Sequence, residues 1–224
     1  MPHLERDGDV FVLDIGDDEN RFHPDWLASV SDAIDEVIAA PAPRALVTAA
    51  TGKFFSNGLD LDWLGQNQDR VQDYVAQVQG LFAKMLAAPV PTVAAIQGHC
   101  FAAGAMLALA HDRRVMRADR GYFCLPEADI NIPFTPGMTK LIQSKLTPAT
   151  ATNAMVGAAR FGGEEALAAG IVDAAVAEDA VRPEAVALAA AQAGKDGVTL
   201  GTIKSRMYAD ALEALADRDI RFGA

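Results

Sequence analysis

Short apolar segments alternate with amphipathic segments along the first 135 residues of this chain. The short segments are typical of buried strands, whereas apolar residues recur at helical spacing in the longer ones. From residue 136 onward the pattern is helical, apart from a short apolar run at 171–176. This order predicts an α/β core followed by a helical C-terminal part.

The individual elements follow from apolar spacing and from the prolines and glycines that bound them. We predict strands at 10–15, 44–50, 92–96, 115–116, 122–125 and 171–176. We predict helices at 24–40, 68–87, 103–110 and 198–215. Helix 103–110 is apolar on every side, which is typical of a helix buried in a core.

The composition is that of a protein with a substantial core and an acidic surface. The 224 residues are 51% hydrophobic and 22% charged, which excludes disorder for the bulk of the chain. The length predicts an α/β core at 1–195 and a helical segment at 196–224. The net charge of −11 argues against binding of nucleic acid or an anionic membrane, although a local basic pocket for a phosphorylated ligand stays compatible with it.

Cysteine usage and hydropathy point to an intracellular setting. Cys100 and Cys124 are too few for a disulfide scaffold or a cysteine zinc site. The polar, acidic first ten residues are not typical of a signal peptide, and the longest apolar run, at 100–110, is shorter than the roughly 20 residues of a membrane span. We therefore expect a soluble, cytoplasmic protein without a membrane span.

Two glycine-containing segments follow predicted strands and could bind a ligand. In 53–61 (KFFSNGLDL) the glycine allows close approach to the backbone, although the segment alone is more typical of an ordinary strand-to-helix turn. In 98–106 (GHCFAAGAM) small residues open the buried helix, whose first amides could hold an anion or an oxyanion. Close packing of the helix on a strand explains these small residues equally well.

A third segment, 125–134 (LPEADINIPF), places Glu127 in an apolar neighbourhood between two prolines. A desolvated carboxylate has a raised pKa and can act as a general base near neutral pH. A capping or ion-paired glutamate is an equally good interpretation of this residue taken singly.

Together, these three segments resemble the enoyl-CoA hydratase/isomerase, or crotonase, superfamily. A fourth match, 161–173 (FGGEEALAAGIVD), is similar to a segment of that family with the pattern A-x-x-G-[LI]-V-D. Each motif alone has low specificity, but four in this order are specific, and the resemblance extends over essentially the whole chain. It implies the crotonase (ClpP-like) fold, an α/β spiral of ββα units with a helical C-terminal part.

The resemblance also implies an oxyanion hole. Members of the family bind acyl-CoA thioesters and stabilise an enolate-like intermediate with two backbone N–H groups. By position, these are the amides of Leu59 and Ala103, and many relatives carry glycine where Ala103 stands. Fixed dipoles aimed at the thioester oxygen lower the barrier to deprotonation of the neighbouring carbon.

Carboxylates distinguish the activities within the family. The hydratases use two glutamates, and here the first of those positions is Met106 and the second is Glu127. Because a thioether cannot hold or deprotonate water, the pattern resembles the Δ3,Δ2-enoyl-CoA isomerases, in which one glutamate works alone. The resemblance implies that Glu127 moves a proton from C2 to C4 of a 3-enoyl-CoA in fatty-acid β-oxidation, with no metal or redox cofactor.

The coenzyme A part of the substrate is expected to lie along residues 56–60. The residues expected to bind it are Lys53, Ser56, Asn57, Gly58, Asp60, Gly104, Met106 and Phe134. An apolar wall around the glutamate is expected from Met106, Leu125, Ile132 and Phe134. The phosphates of coenzyme A need a basic patch in this acidic chain, for which Lys53 is the nearest candidate and Lys204 and Arg206 are further ones.

Two alternative functions stay open. A hydratase would need Asp60, Asp62 or Asp129 in place of the missing glutamate, although each is also a typical cap or turn residue. A non-catalytic acyl-CoA-binding member of the family would have the same fold.

A cysteine hydrolase built on Cys100 and His99 is excluded, because adjacent side chains diverge and no cation lies nearby in the sequence to activate the thiol.

The predicted terminal helix carries an apolar stripe that includes Leu200, Ile203, Met207, Ala211 and Leu215. Such a stripe must be covered by the protein's own core or by a neighbour. Because the family commonly assembles through its C-terminal helices, the resemblance implies a homotrimer or a dimer of trimers.

Overall fold

The computed structural model describes residues 2–218, which form two sheets and ten α-helices. The strands are β1 His3–Asp7, β2 Val10–Asp14, β3 Ala45–Ala49, β4 Phe54–Ser56, β5 Thr92–Ile96, β6 His99–Phe101, β7 Arg113–Arg117, β8 Phe123–Cys124, β9 Arg160–Phe161 and β10 Ala174–Val176. The helices are α1 Pro24–Ala39, α2 Leu61–Gln66, α3 Val71–Ala87, α4 Ala103–Ala110, α5 Pro136–Lys145, α6 Pro148–Met155, α7 Gly163–Ala168, α8 Glu178–Ala190, α9 Gly197–Met207 and α10 Ala209–Ala216. Short 3₁₀ turns lie at Gln68–Arg70 and Pro126–Ala128.

The chain winds as a spiral through the two sheets. The larger sheet has the strand order β1-β2-β3-β5-β7-β10, and the smaller has the order β4-β6-β8-β9. Three consecutive strand pairs, β3 with β4, β5 with β6 and β7 with β8, each contribute one strand to the larger sheet and one to the smaller. The strands from successive pairs lie parallel to each other within each sheet, so the chain must cross over between pairs. Helix α3 lies in the first of these crossovers and α4 in the second.

Helix α4 is fully buried and is anchored at its C-terminal end, which also fixes where its first turn lies. All eight of its residues are buried, and it packs against α3, α5 and β6. At its C-terminal end His111 Nδ1 donates to Leu107 O at 2.8 Å, and its Nε2 accepts from Thr48 Oγ1 at 2.7 Å. Burial lowers the pKa of His111 to about 3, so the ring is neutral and ties the helix to β3.

The predicted alternation of strands and helices is confirmed, and β5 and α4 have the predicted bounds. The prediction misses β1, β4, β6 and β9, which are exposed or only two to five residues long and show no clear periodicity. A strand starting at residue 171 is wrong, because Ile171 N–H donates to Ala166 O at 2.8 Å and closes the end of α7. The strand β10 begins only at Ala174.

The predicted single helix at 198–215 is also wrong, since the chain forms α9 and α10, which meet at Tyr208. Helix α10 packs against α3 and α5 and buries Ala211 and Leu215. On α9, by contrast, Ile203 and Met207 are 54% and 68% exposed. The protein's own core thus covers only the second half of the apolar stripe.

The predicted C-terminal segment, 196–224, is described as far as residue 218, and residues 219–224 lie outside the described residues. None of the helices within residues 2–218 combines the length and the apolar character needed to cross a bilayer.

Candidate active site

The loop between β4 and α2 leaves one backbone amide free. Three amides of this loop are bonded: Asn57 N–H to Glu19 O at 2.8 Å, Gly58 N–H to Ser56 Oγ at 3.1 Å and Asp60 N–H to Tyr74 Oη at 3.0 Å. The first amide of α2, Leu61 N–H, donates to Leu59 O at 3.1 Å. Within the part of the chain that the structure describes, Leu59 N–H has no acceptor. A free, half-buried donor at this point is available to a ligand.

A second free amide lies next to the first. Helix α4 begins at Ala103, whose N–H has no acceptor within the helix. The preceding residue, Ala102, has φ 50° and ψ −125°, a left-handed conformation that costs a residue with a Cβ about 1–3 kcal/mol. An added Cβ on Gly58 would lie 2.9 Å from Ala103 N. The backbone that leads into Leu59 therefore packs directly against the start of α4.

Glu127 lies in the 3₁₀ turn Pro126–Ala128, which follows β8. Its side chain is buried, and its Oε2 has no hydrogen-bond partner. Burial raises the pKa of this carboxyl to about 7, opposed only by a hydrogen bond from its own backbone. The carboxylate is therefore a proton acceptor whose pKa is matched to neutral pH.

One cavity of about 240 Å³ joins the two amides to the carboxylate. The residues that line it are Asn57, Leu59, Leu61, Phe101, Ala102, Ala103, Met106, Pro126, Glu127, Ile130, Ile132, Pro133 and Met138. Among these described lining residues, Glu127 is the one with a titratable side chain. The cavity thus combines an apolar wall, one base and two adjacent donors, which is the arrangement needed to remove a proton next to a carbonyl group.

A family model for enoyl-CoA hydratase/isomerase matches residues 7–220 of the sequence. The chain belongs to this family. The resemblance and the fold class predicted from the sequence motifs are therefore confirmed.

Curated relatives in this family include three isomerases of Arabidopsis thaliana. Enoyl-CoA delta isomerase 3 is 36% identical over 219 residues, which cover 93% of this chain and 92% of that protein. Enoyl-CoA delta isomerase 2, peroxisomal, is 36% identical over 221 residues with the same coverage of each chain. Enoyl-CoA delta isomerase 1, peroxisomal, is 33% identical over 219 residues.

Solved structures of the family share the fold closely. The enoyl-CoA isomerase of Mycobacterium tuberculosis superimposes with a TM-score of 0.89 at 28% identity, covering 96% of this chain and 93% of that one. A second structure of the same mycobacterial protein carries the name probable enoyl-CoA hydratase, with a TM-score of 0.89 at 29% identity. Since one protein carries both names, likeness to its fold does not decide between the two activities, and the decision depends on the residues of the site.

Several residues expected to bind substrate lie beside the cavity rather than in it. The Ser56 hydroxyl is fully buried and donates to Asn20 O at 2.8 Å, and Gly104 packs against Ser56 so closely that an added Cβ would lie 2.6 Å from Ser56 O. The Asp60 carboxylate caps α2 by accepting from Trp63 N–H at 3.0 Å. These residues shape the loop, while Asn57 and Met106 line the cavity.

Of the other residues expected to form the apolar wall, one lines the cavity and two belong to the surrounding core. Ile132 lines the cavity, whereas Leu125 is fully buried in the core. Phe134 is partly buried and packs against that core.

The cations expected to meet the coenzyme A phosphates have unequal access. Lys53 is exposed beside the loop, with Nζ 5.1 Å from the centre of the Phe54 ring. Lys204 is only 4% exposed and is held by Asp112 Oδ2 at 2.7 Å, so the expectation that it meets a phosphate is wrong. Arg206 lines a separate surface cleft together with Lys140.

The sequence interpretation missed residues that shape the loop from a distance. Arg21 Nη1 donates to Asp62 Oδ2 at 2.6 Å and its Nε donates to Glu19 Oε2, so two carboxylates balance its charge beside the loop. The Asn20 side chain donates to Phe55 O at 3.0 Å, and its own φ of 49° is a conformation in which asparagine is common. No sequence signal marks either residue, because their partners Phe55 and Asp62 are more than thirty residues away in the chain.

The other reactive side chains are structural. Cys100 is fully buried, and burial raises the pKa of its thiol, so no thiolate is available. The His99 ring packs at a tilt against the rings of Phe101 and Tyr122, with ring centres 5.0 and 5.7 Å away. Within residues 2–218, no group of His, Cys, Asp and Glu side chains is arranged to hold a metal ion.

Proposed function

We propose that this chain is a Δ3,Δ2-enoyl-CoA isomerase in which Glu127 alone carries the proton. The predicted enzyme class is confirmed by the three relatives that are named enoyl-CoA delta isomerases. The observation that carries the proposed mechanism is that Glu127 is the single titratable group among the described residues lining a cavity that also holds two free amides.

The first step removes a proton from C2 of a 3-enoyl-CoA. The Glu127 carboxylate takes the proton, and the electron pair of the C2–H bond moves onto the thioester oxygen to give a dienolate. The N–H groups of Leu59 and Ala103 donate to this oxygen, whose charge increases in the transition state. Loss of one such donor typically slows a reaction by about 10²–10³-fold.

The second step returns the same proton at C4. The Glu127 carboxylic acid donates it, the double bond forms between C2 and C3, and the carboxylate is regenerated. Because every atom and electron of the substrate is kept, the proposed reaction needs neither a metal nor a redox cofactor. The apolar wall supports this route, since it keeps the carboxyl basic and hinders exchange of its proton with water.

Hydration is disfavoured by the residue at position 106, which lines the same cavity as this base. Met106 is 1% exposed and lines the cavity, and its thioether cannot hold or deprotonate water. The carboxylates considered as replacements, Asp60, Asp62 and Asp129, are not among the residues that line it. A non-catalytic binding protein is disfavoured as well, because a buried carboxylate with one unpaired oxygen lowers stability and is retained most readily where it reacts.

The substrate would place coenzyme A along residues 56–60, with Lys53 as the candidate cation for its phosphates. The fatty-acid β-oxidation context and the cytoplasmic compartment are part of this proposal, and two of the relatives are named peroxisomal. A homotrimer, or a dimer of trimers, would cover the exposed apolar residues Ile203 and Met207 of α9. Light scattering of the purified protein measures this, and a stable monomer contradicts it.

The deciding experiment supplies the purified protein with a 3-enoyl-CoA and, separately, with the 2-trans-enoyl-CoA. The expected result is conversion of the first to the conjugated thioester, seen as a gain of ultraviolet absorbance, with no 3-hydroxyacyl-CoA from either. Efficient hydration of the second thioester contradicts the isomerase assignment. Failure to convert either one supports a binding protein instead.

A further inference from the structure

The Tyr74 hydroxyl forms two hydrogen bonds, one to the loop that holds Leu59 and one to the segment before α1. Tyr74 is on α3 and is 1% exposed. Its Oη donates to Phe22 O at 2.8 Å and accepts from Asp60 N–H at 3.0 Å. Burial raises the pKa of this phenol, so the hydroxyl stays protonated and keeps both bonds throughout the working pH range.

These bonds close a ring around Leu59. Phe22 N–H donates to Gly58 O at 2.8 Å, and Phe22 O accepts from Tyr74, which in turn bonds Asp60 N–H. The residues before and after Leu59 are therefore both fastened to Phe22, one directly and the other through the phenol. The Leu59 N–H belongs to the Gly58–Leu59 peptide, whose carbonyl oxygen accepts from Phe22 N–H. Because Tyr74 holds both Phe22 and the next peptide, the direction of the Leu59 N–H bond is fixed from both sides.

We propose that Tyr74 is a positioning residue that aims the Leu59 amide at the thioester oxygen. This inference rests on the proposed function, because it assigns the oxyanion role to that amide. Tyr74 does not line the cavity and touches no reacting atom. Without its hydroxyl, the Asp60 amide loses its acceptor and Phe22 O loses its donor. The Leu59–Asp60 peptide and the Phe22 backbone that holds the Gly58–Leu59 peptide can then both shift, which weakens a hydrogen bond that matters most in the transition state.

The test compares a ligand that places a negatively charged oxygen in the oxyanion hole with one that places a neutral carbonyl oxygen there. Acetoacetyl-CoA has an acidic C2 and can bind as its enolate, whereas butyryl-CoA binds as a neutral thioester. We expect Tyr74→Phe to weaken acetoacetyl-CoA binding by about 10-fold and to leave butyryl-CoA binding within about twofold, since the lost interaction is with developing charge. In turnover, kcat should fall by about 10- to 100-fold with little change in KM, as expected for a misplaced donor.

The matched control is Tyr122→Phe, which removes the same hydroxyl from a side chain that is 42% exposed and lies outside the cavity. It should leave both affinities and kcat at their wild-type values. Equal weakening of both ligands by Tyr74→Phe indicates a merely structural residue and overturns the proposal, as does no change in either. If the wild-type protein fails to isomerise a 3-enoyl-CoA, the proposed function falls, while the ligand comparison still decides the role of Tyr74.

Amide hydrogen exchange on the wild-type protein tests the bonds on which the proposal rests if Tyr74→Phe proves unstable. The Asp60 amide should exchange slowly in the free protein, and the Leu59 amide should become protected only when acetoacetyl-CoA binds. An Asp60 amide that exchanges as fast as that of Leu59 in the free protein overturns the proposal.

Discussion

A Cβ added to Gly58 would lie 2.9 Å from the amide nitrogen of Ala103 and 3.0 Å from the Cβ of Ala102. Gly58 also has φ +82°, a conformation that residues with side chains rarely adopt. The two amides of the candidate oxyanion hole are neighbours because this one position carries no side chain. A motif that looks like an ordinary turn in the sequence thus has a defined role in assembling the site.

Replacing Gly58 with alanine should separate the two donors. We expect Gly58→Ala to lower kcat by about 10²-fold, since small displacements of a catalytic group have effects of that size. The control is Gly65→Ala on α2, where an added Cβ meets nothing within 4 Å. That variant should keep wild-type activity and gain a little helix stability. Steady-state kinetics and thermal unfolding of both proteins test this, and an active Gly58→Ala would mean that the amides are not used together.

Replacing Glu127 with glutamine should remove the base and keep the shape of the cavity. We expect Glu127→Gln to lose about 10²–10⁴-fold in kcat, the range that a positioned general base contributes. Binding of a saturated acyl-CoA, measured by calorimetry, should change little. Asp129→Asn removes an exposed carboxylate two residues away and should stay active. A Glu127→Gln protein with wild-type turnover would show that another group carries the proton.

The pH dependence of the wild-type enzyme should report the same carboxyl. Its pKa is raised to about 7 by burial, and the reaction needs the ionised form. We therefore expect kcat/KM to rise with pH up to about 7 and then to level off. A rate that is constant between pH 5 and pH 8, or one that falls, would contradict the assigned base.

Much of this site could be predicted from the sequence because its signals are local. The apolar run of α4 and the glutamate between two prolines are visible without knowledge of the fold. The role of Tyr74 is not visible, because on an amphipathic helix its ring looks like any core residue. Its hydroxyl meets Phe22, which is 52 residues away, and only the folded chain brings the two together. The short strands β4 and β6 escape prediction for the same reason, since their pairing of Phe54 with His99 is not local.

The buried carboxylate should also lower the stability of the folded protein at higher pH. A raised pKa means that the folded state binds the proton more tightly than the unfolded chain does. The penalty is therefore absent below about pH 4.5, grows as the pH rises, and is complete above about pH 7. The difference between these two pKa values corresponds to roughly 3 kcal/mol in the free energy of unfolding.

Glu127→Gln should accordingly be more stable than the wild type at pH 8 and no more stable at pH 4.5. Denaturant unfolding at both values measures this difference, with the exposed glutamate variant Glu164→Gln as the control for loss of charge. Equal stability of Glu127→Gln and wild type at pH 8 would show that the carboxylate is better solvated than its burial indicates.

Introducing a carboxylate at position 106 should open a route to hydration. Met106 lines the cavity with Glu127, so Met106→Glu would place two carboxyl groups around one substrate, and their mutual repulsion would raise the pKa of one of them. One acid and one base could then hold and deprotonate a water molecule next to C3 of a 2-trans-enoyl-CoA. We expect hydration about 10-fold above the wild-type rate, below the ~10²–10⁴-fold of an optimised base because the surrounding groups are unchanged.

The assay for Met106→Glu follows loss of ultraviolet absorbance from the conjugated thioester and formation of 3-hydroxyacyl-CoA. Met106→Gln has the same size and polarity without a base and should give no hydration. If Met106→Glu hydrates no faster than Met106→Gln, positioning of water needs groups beyond the two carboxylates, and the identity of residue 106 does not by itself separate the two activities.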